Sequence, residues 1–352
     1  MCTRYLTIII IILLAGISMH VALTIALDPY RVFGLSDFNK KNFEPNNRYL
    51  KIEHLRGNHG HDAFILGSSR VAAYDVSTAR ELTGLDYYNL TASGAGMNEI
   101  LDTAQWLIKS QQIRQMIVGL DFDAMFLAGT TDPFDLLRKE HYLVSGEHPF
   151  LFYLKYFIFQ PNTLNRVIKL NRGDKKTTYL FDTSTGMVLF PYYDDLIARD
   201  HETYVKTMIA EPGTTWGKVK QGNLDAFYTL VELFRSHEID AVYVINPCHY
   251  LMMQSYDIDE YCSWLRSITA AGVPVWDFTG FNSVTQNSYH FYEILHSRKI
   301  VGDMVLERIF TGTCNPACDE TFGRLISSEN IEDHIASLRA SYYLRHRILR
   351  SR

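Results

Sequence analysis

At 352 residues the chain is longer than a usual single domain, and its 47% hydrophobic and 13% aromatic content is ample for a buried core, which excludes a disordered protein. The net charge of −5, with nothing basic accompanying the aromatic-rich middle, argues against a nucleic-acid partner. One large domain with an insertion, or two domains, is the expectation.

From Thr7 to Leu27 the chain is apolar or small almost throughout, with Ile8 to Leu14 unbroken and only His20 strongly polar. About 20 such residues cross the hydrocarbon core of a bilayer, so residues 1–27 read as a transmembrane anchor. Leu14-Ala15-Gly16 offers small residues to a signal peptidase, but the apolar run continues well beyond it, which favours an uncleaved helix. Arg4, the only cation before the span, points to a cytoplasmic N-terminus, although Arg31, Lys40 and Lys41 follow the span. With the N-terminus inside, the protein is a single-pass protein of the cytoplasmic membrane, its main domain on the outer side.

Residues 28–61 read as a polar lead-in. Strands and helices then alternate: a strand at Asp62–Leu66, a helix at Val71–Thr83 and a strand at Tyr87–Leu90. After the loop Thr91-Ala92-Ser93-Gly94-Ala95-Gly96 come a helix from Asn98 to about Gln111 and a strand at Met116–Leu120, ending in Asp121-Phe122-Asp123. This alternation implies a parallel sheet with helices on both faces. It stops between about 124 and 222, where aromatics cluster around Gly- and Pro-marked loops. That segment reads as an insertion over the C-terminal edge of the sheet, where open α/β sheets bind ligands. Its aromatics suit a core, and part of them a groove for a sugar or acyl group. A helix at Leu224–Ser236, a strand at Ala241–Ile245, a helix at Asp257–Ala271 and a last strand at Val273–Asp277 resume the pattern. A helix from Lys299 to Phe310 closes it, and residues 313–352 form a basic, amphipathic helical tail, with either a solvated charged face or a membrane-surface role. Cys314 and Cys318 are spaced for a local disulfide in an exported domain, and Cys248 and Cys262 read as buried thiols.

The residues suited to chemistry lie at two ends of this order. Ala63-Phe64-Ile65-Leu66-Gly67-Ser68-Ser69-Arg70 delivers a hydroxyl, Ser68 or Ser69, to the tip of a buried strand beside a helix start, whose N–H groups favour an oxyanion. Acyl transfer also needs a base and a group that orients it. Glu293-Ile294-Leu295-His296 supplies both, since a single turn lets Glu293 hold one imidazole nitrogen of His296 while the other faces Ser69. Asp277 is the reserve acid, and His290 rivals His296 but has no acid three positions earlier. Arg70 binds an anionic substrate group or pairs with a neighbouring acid. His249, after the strand-ending Pro247, faces the site or serves the structure. No metal-ligand cluster accompanies these residues, so neither metal nor cofactor is expected.

With Gly67-Ser68-Ser69, Asn89-Leu90-Thr91-Ala92-Ser93-Gly94 and Glu293-Ile294-Leu295-His296 in this order, the chain resembles the SGNH (GDSL-like) hydrolase superfamily. It is most similar to the membrane-anchored bacterial branch that includes the D-alanine transfer protein of teichoic acids and the alginate O-acetylation proteins. Trp276-Asp277-Phe278-Thr279-Gly280 and Gly302-Asp303-Met304 also match that branch, and the resemblance covers about residues 28–312. It implies a three-layer, flavodoxin-like parallel sheet over residues 62–312, with Ser69 as nucleophile, His296 and Glu293 completing the triad, and the Ser69 and Gly94 N–H groups in the oxyanion hole. It further implies acyl transfer or hydrolysis on a cell-envelope polysaccharide or polymer, alongside a polytopic membrane O-acyltransferase. Two departures stand out. The acid is Glu293 where the family has Asp. The third block reads Gly119-Leu120-Asp121-Phe122-Asp123, without the asparagine that donates to the oxyanion. Arg70, Asp121 and His249 are candidate substrate contacts, and a catalytically silent, polymer-binding or scaffold member is the alternative.

Overall fold

The apolar N-terminal run folds as one helix, α1 (Cys2–Leu27), in a computed structural model that describes residues 2–34, 46–126, 135–158, 163, 165–166, 178–210, 213, 217–314 and 318–350. Among the described residues it is the one helix long and apolar enough to cross a membrane. Its Ile and Leu side chains from Leu6 to Leu14 stand about half exposed, which water does not favour over so long a run.

The chain next forms α2 (Asn47–Gly57). The sequence there reads as a polar lead-in, yet Ile52 and Leu55 enter the main core, and Arg48 and Lys51 are themselves buried. β1 (Ala63–Gly67) is buried at every position. Where one helix is expected over Val71–Thr83, a 3-10 turn at Ser69–Ala73 precedes a separate α3 (Val76–Thr83). Asp75 causes the break, because its carboxylate caps α3 by accepting the Ser77 N–H at 2.8 Å. β2 (Tyr87–Thr91), α4 (Met97–Ser110) and β3 (Gln115–Leu120) follow within a residue or two of expectation.

The insertion carries α5 (Tyr142–Ser145), α6 (Pro149–Tyr156), the hairpin β4 (Leu180–Phe181) with β5 (Val188–Leu189), α7 (Pro191–Arg199) and α8 (His201–Met208). The Thr185 carbonyl in the β4–β5 turn accepts the Asn89 N–H of β2 at 2.9 Å, which covers an otherwise open sheet edge. The chain returns through α9 (Gln221–Ser236), β6 (Asp240–Ile245), α10 (Tyr250–Ser255), α11 (Ile258–Thr269), β7 (Val275–Asp277) and α12 (Lys299–Thr311). The Cys314–Cys318 disulfide is formed, and Cys248 and Cys262 are buried free thiols.

One departure changes the sheet. Val273–Asp277 is not the last strand, because β8 (Arg324–Ile326) adds antiparallel to β7 before α13 (Ile331–Arg350). Three residues were too few to register as a strand in the sequence. The six strands run β2-β1-β3-β6-β7-β8, parallel except for β8. Side chains alternate between faces. Phe64, Leu66, Met116 and Val118 pack beneath α4, α9, α11 and α13, whereas Ala63, Ile65 and Ile117 pack against α3 and α12. The molecule is therefore an α/β protein whose sheet is covered on both sides. Ile331, Ile335 and Leu338 of α13 lie in the first of these cores, so the C-terminal segment is part of the domain. Their burial contributes on the order of 5 kcal/mol.

Candidate active site

The strand order reverses beside β1, with β2 on one side and β3 on the other, which opens a crevice beyond their C-terminal ends. The adjacent serines at the tip of β1 are held differently. Ser68 Oγ accepts the Arg70 N–H at 3.2 Å and donates to Asp121 Oδ2 at 2.5 Å, which occupies it in the turn. Ser69 Oγ lies 2.6 Å from His296 Nε2. The turn is pinned from behind by Gly302 of α12, where a Cβ would approach the Ala73 carbonyl oxygen to 1.9 Å.

His296 Nδ1 pairs with Glu293 Oε1. The same carboxylate accepts the backbone N–H of His296 at 2.9 Å and of Leu295 at 3.0 Å. Burial alone would raise the Glu293 pKa, but the His296 hydrogen bond and charge and the two N–H donors hold it below the usual carboxylate range. A charged Glu293 takes its hydrogen bond from Nδ1–H, which leaves the Nε2 lone pair for the Ser69 hydroxyl. The fold thus brings Ser69 together with His296 and Glu293, the last two on a hairpin-like loop closed by the Phe291–Ser297 bridge.

That loop is braced by residues the sequence did not single out. Asp194 of α7 accepts from Arg298 Nε and from the Tyr292 hydroxyl, both at 2.9 Å, and the Tyr204 hydroxyl of α8 donates to the Tyr292 carbonyl at 2.7 Å. The His249 N–H donates to the Ile294 carbonyl at 2.9 Å, while its ring caps α10 through Leu251 N–H and meets Ser288 Oγ. Burial pushes the His249 pKa down to about 4. His249 therefore supports the loop from outside the cleft and is not a substrate contact. Asp277, the reserve acid, pairs with His334 Nε2 at 2.8 Å and accepts the Thr279 N–H. His290 points its Nδ1 at the Val284 carbonyl. Neither belongs to the site.

Gly94 sits in the left-handed region at φ +68°, on the loop after β2. Two buried basic residues of α2 hold that loop by its carbonyls, Lys51 Nζ donating to Thr91 O and Arg48 Nη2 to Ser93 O, each at 2.9 Å, and burial pushes the Lys51 pKa well down. In a trans peptide the N–H lies opposite the carbonyl, so the grip on Ser93 O turns the Gly94 N–H away from α2. No protein acceptor among the described residues takes up the Ser69 or Gly94 N–H, which leaves two donors at the cleft.

Asp121, just past the end of β3, lines the same cleft, and its charge is accounted for. Its Oδ1 accepts from Arg70 Nη1 at 3.1 Å and Asn246 Nδ2 at 2.9 Å, and Asn246 in turn accepts the Tyr74 hydroxyl. Arg70 also reaches Asp123 at 2.7 Å. Burial disfavours the guanidinium, but the two facing carboxylates keep it firmly charged. Burial likewise works against Asp123, and Arg70 with the Tyr256 hydroxyl holds its pKa low. Arg70 is thus the counter-ion of a buried network, and Asp121 presents no unpaired charge to an oxyanion.

The cleft over Ser69 encloses about 410 Å³. The insertion forms its far wall through Tyr179, Phe190, Tyr193, Tyr204 and Met208, and Arg138 stands above Gly94. Among the described residues no group of acidic, His and Cys side chains suits a metal ion. Neither a family model nor a curated protein matches this chain.

Proposed function

We propose that the chain is an SGNH-like serine acyltransferase or esterase, anchored by α1 with its domain on the outer side of the cytoplasmic membrane. The observation that carries this reading is the continuous relay Ser69 Oγ, His296 Nε2, His296 Nδ1, Glu293 at the mouth of a cleft. Support comes also from the order of the five parallel strands, which renumbered among themselves run 2-1-3-4-5 as in flavodoxin-like sheets, and from the free N–H groups of Ser69 and Gly94.

In this mechanism Ser69 Oγ attacks the acyl carbonyl and its proton passes to His296 Nε2. The oxyanion is met by the Ser69 and Gly94 N–H groups. Collapse expels the donor alcohol, which takes the proton from His296 and leaves an ester on Ser69. An acceptor hydroxyl, deprotonated by His296, then attacks that ester and frees Ser69. Two N–H donors without a third give a weaker oxyanion hole, a loss worth about 10²–10³ in rate. That suits transfer to a bound polymer hydroxyl better than rapid hydrolysis. The aromatic wall fits a sugar ring, and the substrate class is an acylated cell-envelope polysaccharide or polymer, handled alongside a polytopic membrane O-acyltransferase.

The test is acyl-donor turnover by the full-length protein in detergent, using an aryl acetate with and without an oligosaccharide acceptor. The acceptor is expected to raise release of the aryl alcohol and to become acetylated. A folded wild-type protein that neither forms an acyl-Ser69 nor turns over the donor would favour the silent, polymer-binding alternative.

A further inference from the structure

We propose that the outer face of α6 is a second membrane-contact surface, seated in lipid beside α1; the inference rests on reading α1 as membrane-spanning. α6 is apolar on both sides. Its inner face carries Phe152 and Tyr156, fully buried in an aromatic cluster with Tyr30 and Tyr49. Its outer face carries Phe150, Leu151 and Leu154, with Ile158 just past its end, 67%, 50%, 44% and 48% exposed respectively. Positions 150, 154 and 158 recur every fourth residue with 151 beside them, so they form one stripe. Between these faces Lys155 pairs with Glu147, and an exposed apolar stripe of this kind calls for cover of its own.

The position of α1 identifies that cover. Leu154, Phe157 and Ile158 line a groove with α1 residues between Ile12 and Val21. Ile17 lies ten residues before Leu27, roughly 15 Å down the helix at 1.5 Å per residue. The hydrocarbon core is about 30 Å thick, so when α1 spans it the end of α6 lies at hydrocarbon depth. The polar end of α6 is prepared for that setting, since His20 Nε2 meets the Phe157 carbonyl at 2.8 Å and leaves it satisfied. On the inner side Phe152 stacks on Tyr49 of α2, with ring centroids 6.0 Å apart, and α2 holds the Gly94 loop. One helix thus separates the lipid-facing α6 from the oxyanion loop, which sets the cleft close to the membrane surface.

The experiment uses the full chain in nanodiscs of phosphatidylcholine and phosphatidylglycerol, in a Cys2→Ser background. Single nitroxides are attached after Leu151→Cys, Ile158→Cys, Leu13→Cys on α1, or Glu202→Cys on exposed α8. Collisions with oxygen, which partitions into lipid, are compared with collisions with a water-soluble nickel chelate. Labels at 13, 151 and 158 are expected to favour oxygen, and the label at 202 to favour nickel. Nickel access at 151 and 158 with a lipid signature at 13 would overturn the proposal and spare the anchor. Exclusion of both reagents at 151 and 158 would mean protein cover, such as a second copy, and would also overturn it. A nickel-accessible label at 13 would remove the anchor reading and the proposal together.

Discussion

Ser68 and Ser69 are chemically identical neighbours whose roles are set by their partners. Ser68 supports Asp121, so Ser68→Ala is expected to lower stability by about 1–3 kcal/mol in thermal unfolding while Ser69 remains reactive. Arg70 holds two carboxylates apart in a buried site, and Arg70→Met is expected to cost about 3–5 kcal/mol by the same measurement. The pH profile follows from Glu293. Its folded pKa is lowered, so it is ionised at all pH values above the ordinary carboxylate range, and its contribution fades only as pH falls below about 4.5. Loss of the Glu293 contribution to stability in thermal unfolding is therefore expected only below about pH 4.5, and loss that sets in well above that would contradict a lowered pKa. That Ser69, His296 and Glu293 could meet was legible in the sequence because each lies in a short motif with fixed spacing. Asp194, Arg48 and Lys51 were not, because their partners are tens to more than a hundred residues away and only the fold joins them.

Among the elements, the loop carrying Glu293 and His296 depends on the insertion. Asp194→Ala removes the acceptor for both Arg298 and Tyr292, and a shift of the imidazole by about 1 Å costs on the order of 10²-fold in rate. The expected result is a lower kcat with an unchanged circular dichroism spectrum. The buried parallel strands were evident in the sequence as apolar runs ended by Gly, Asp or Asn. Three elements were less evident for physical reasons. Asp75 interrupts a continuous helical pattern by capping. α2 buries Arg48 and Lys51 on carbonyls, which disguises a core helix as a polar segment. β8 is three residues long and joins the sheet by backbone pairing with β7.

At the scale of the whole molecule, the sheet, the insertion and α13 form one packed unit beneath a membrane-spanning length of helix. Deleting residues 313–352 removes the Ile331, Ile335 and Leu338 packing and the β8 pairing, and is expected to abolish cooperative thermal unfolding. This unit is proposed to present an activated serine. The most direct test is reaction of the full-length protein with a fluorophosphonate serine probe, comparing wild type with Ser69→Ala, Ser68→Ala and His296→Ala. Labelling of wild type and Ser68→Ala, lost in Ser69→Ala and His296→Ala, is the predicted result. A folded wild-type protein that resists the probe, or labelling that survives Ser69→Ala, would contradict it.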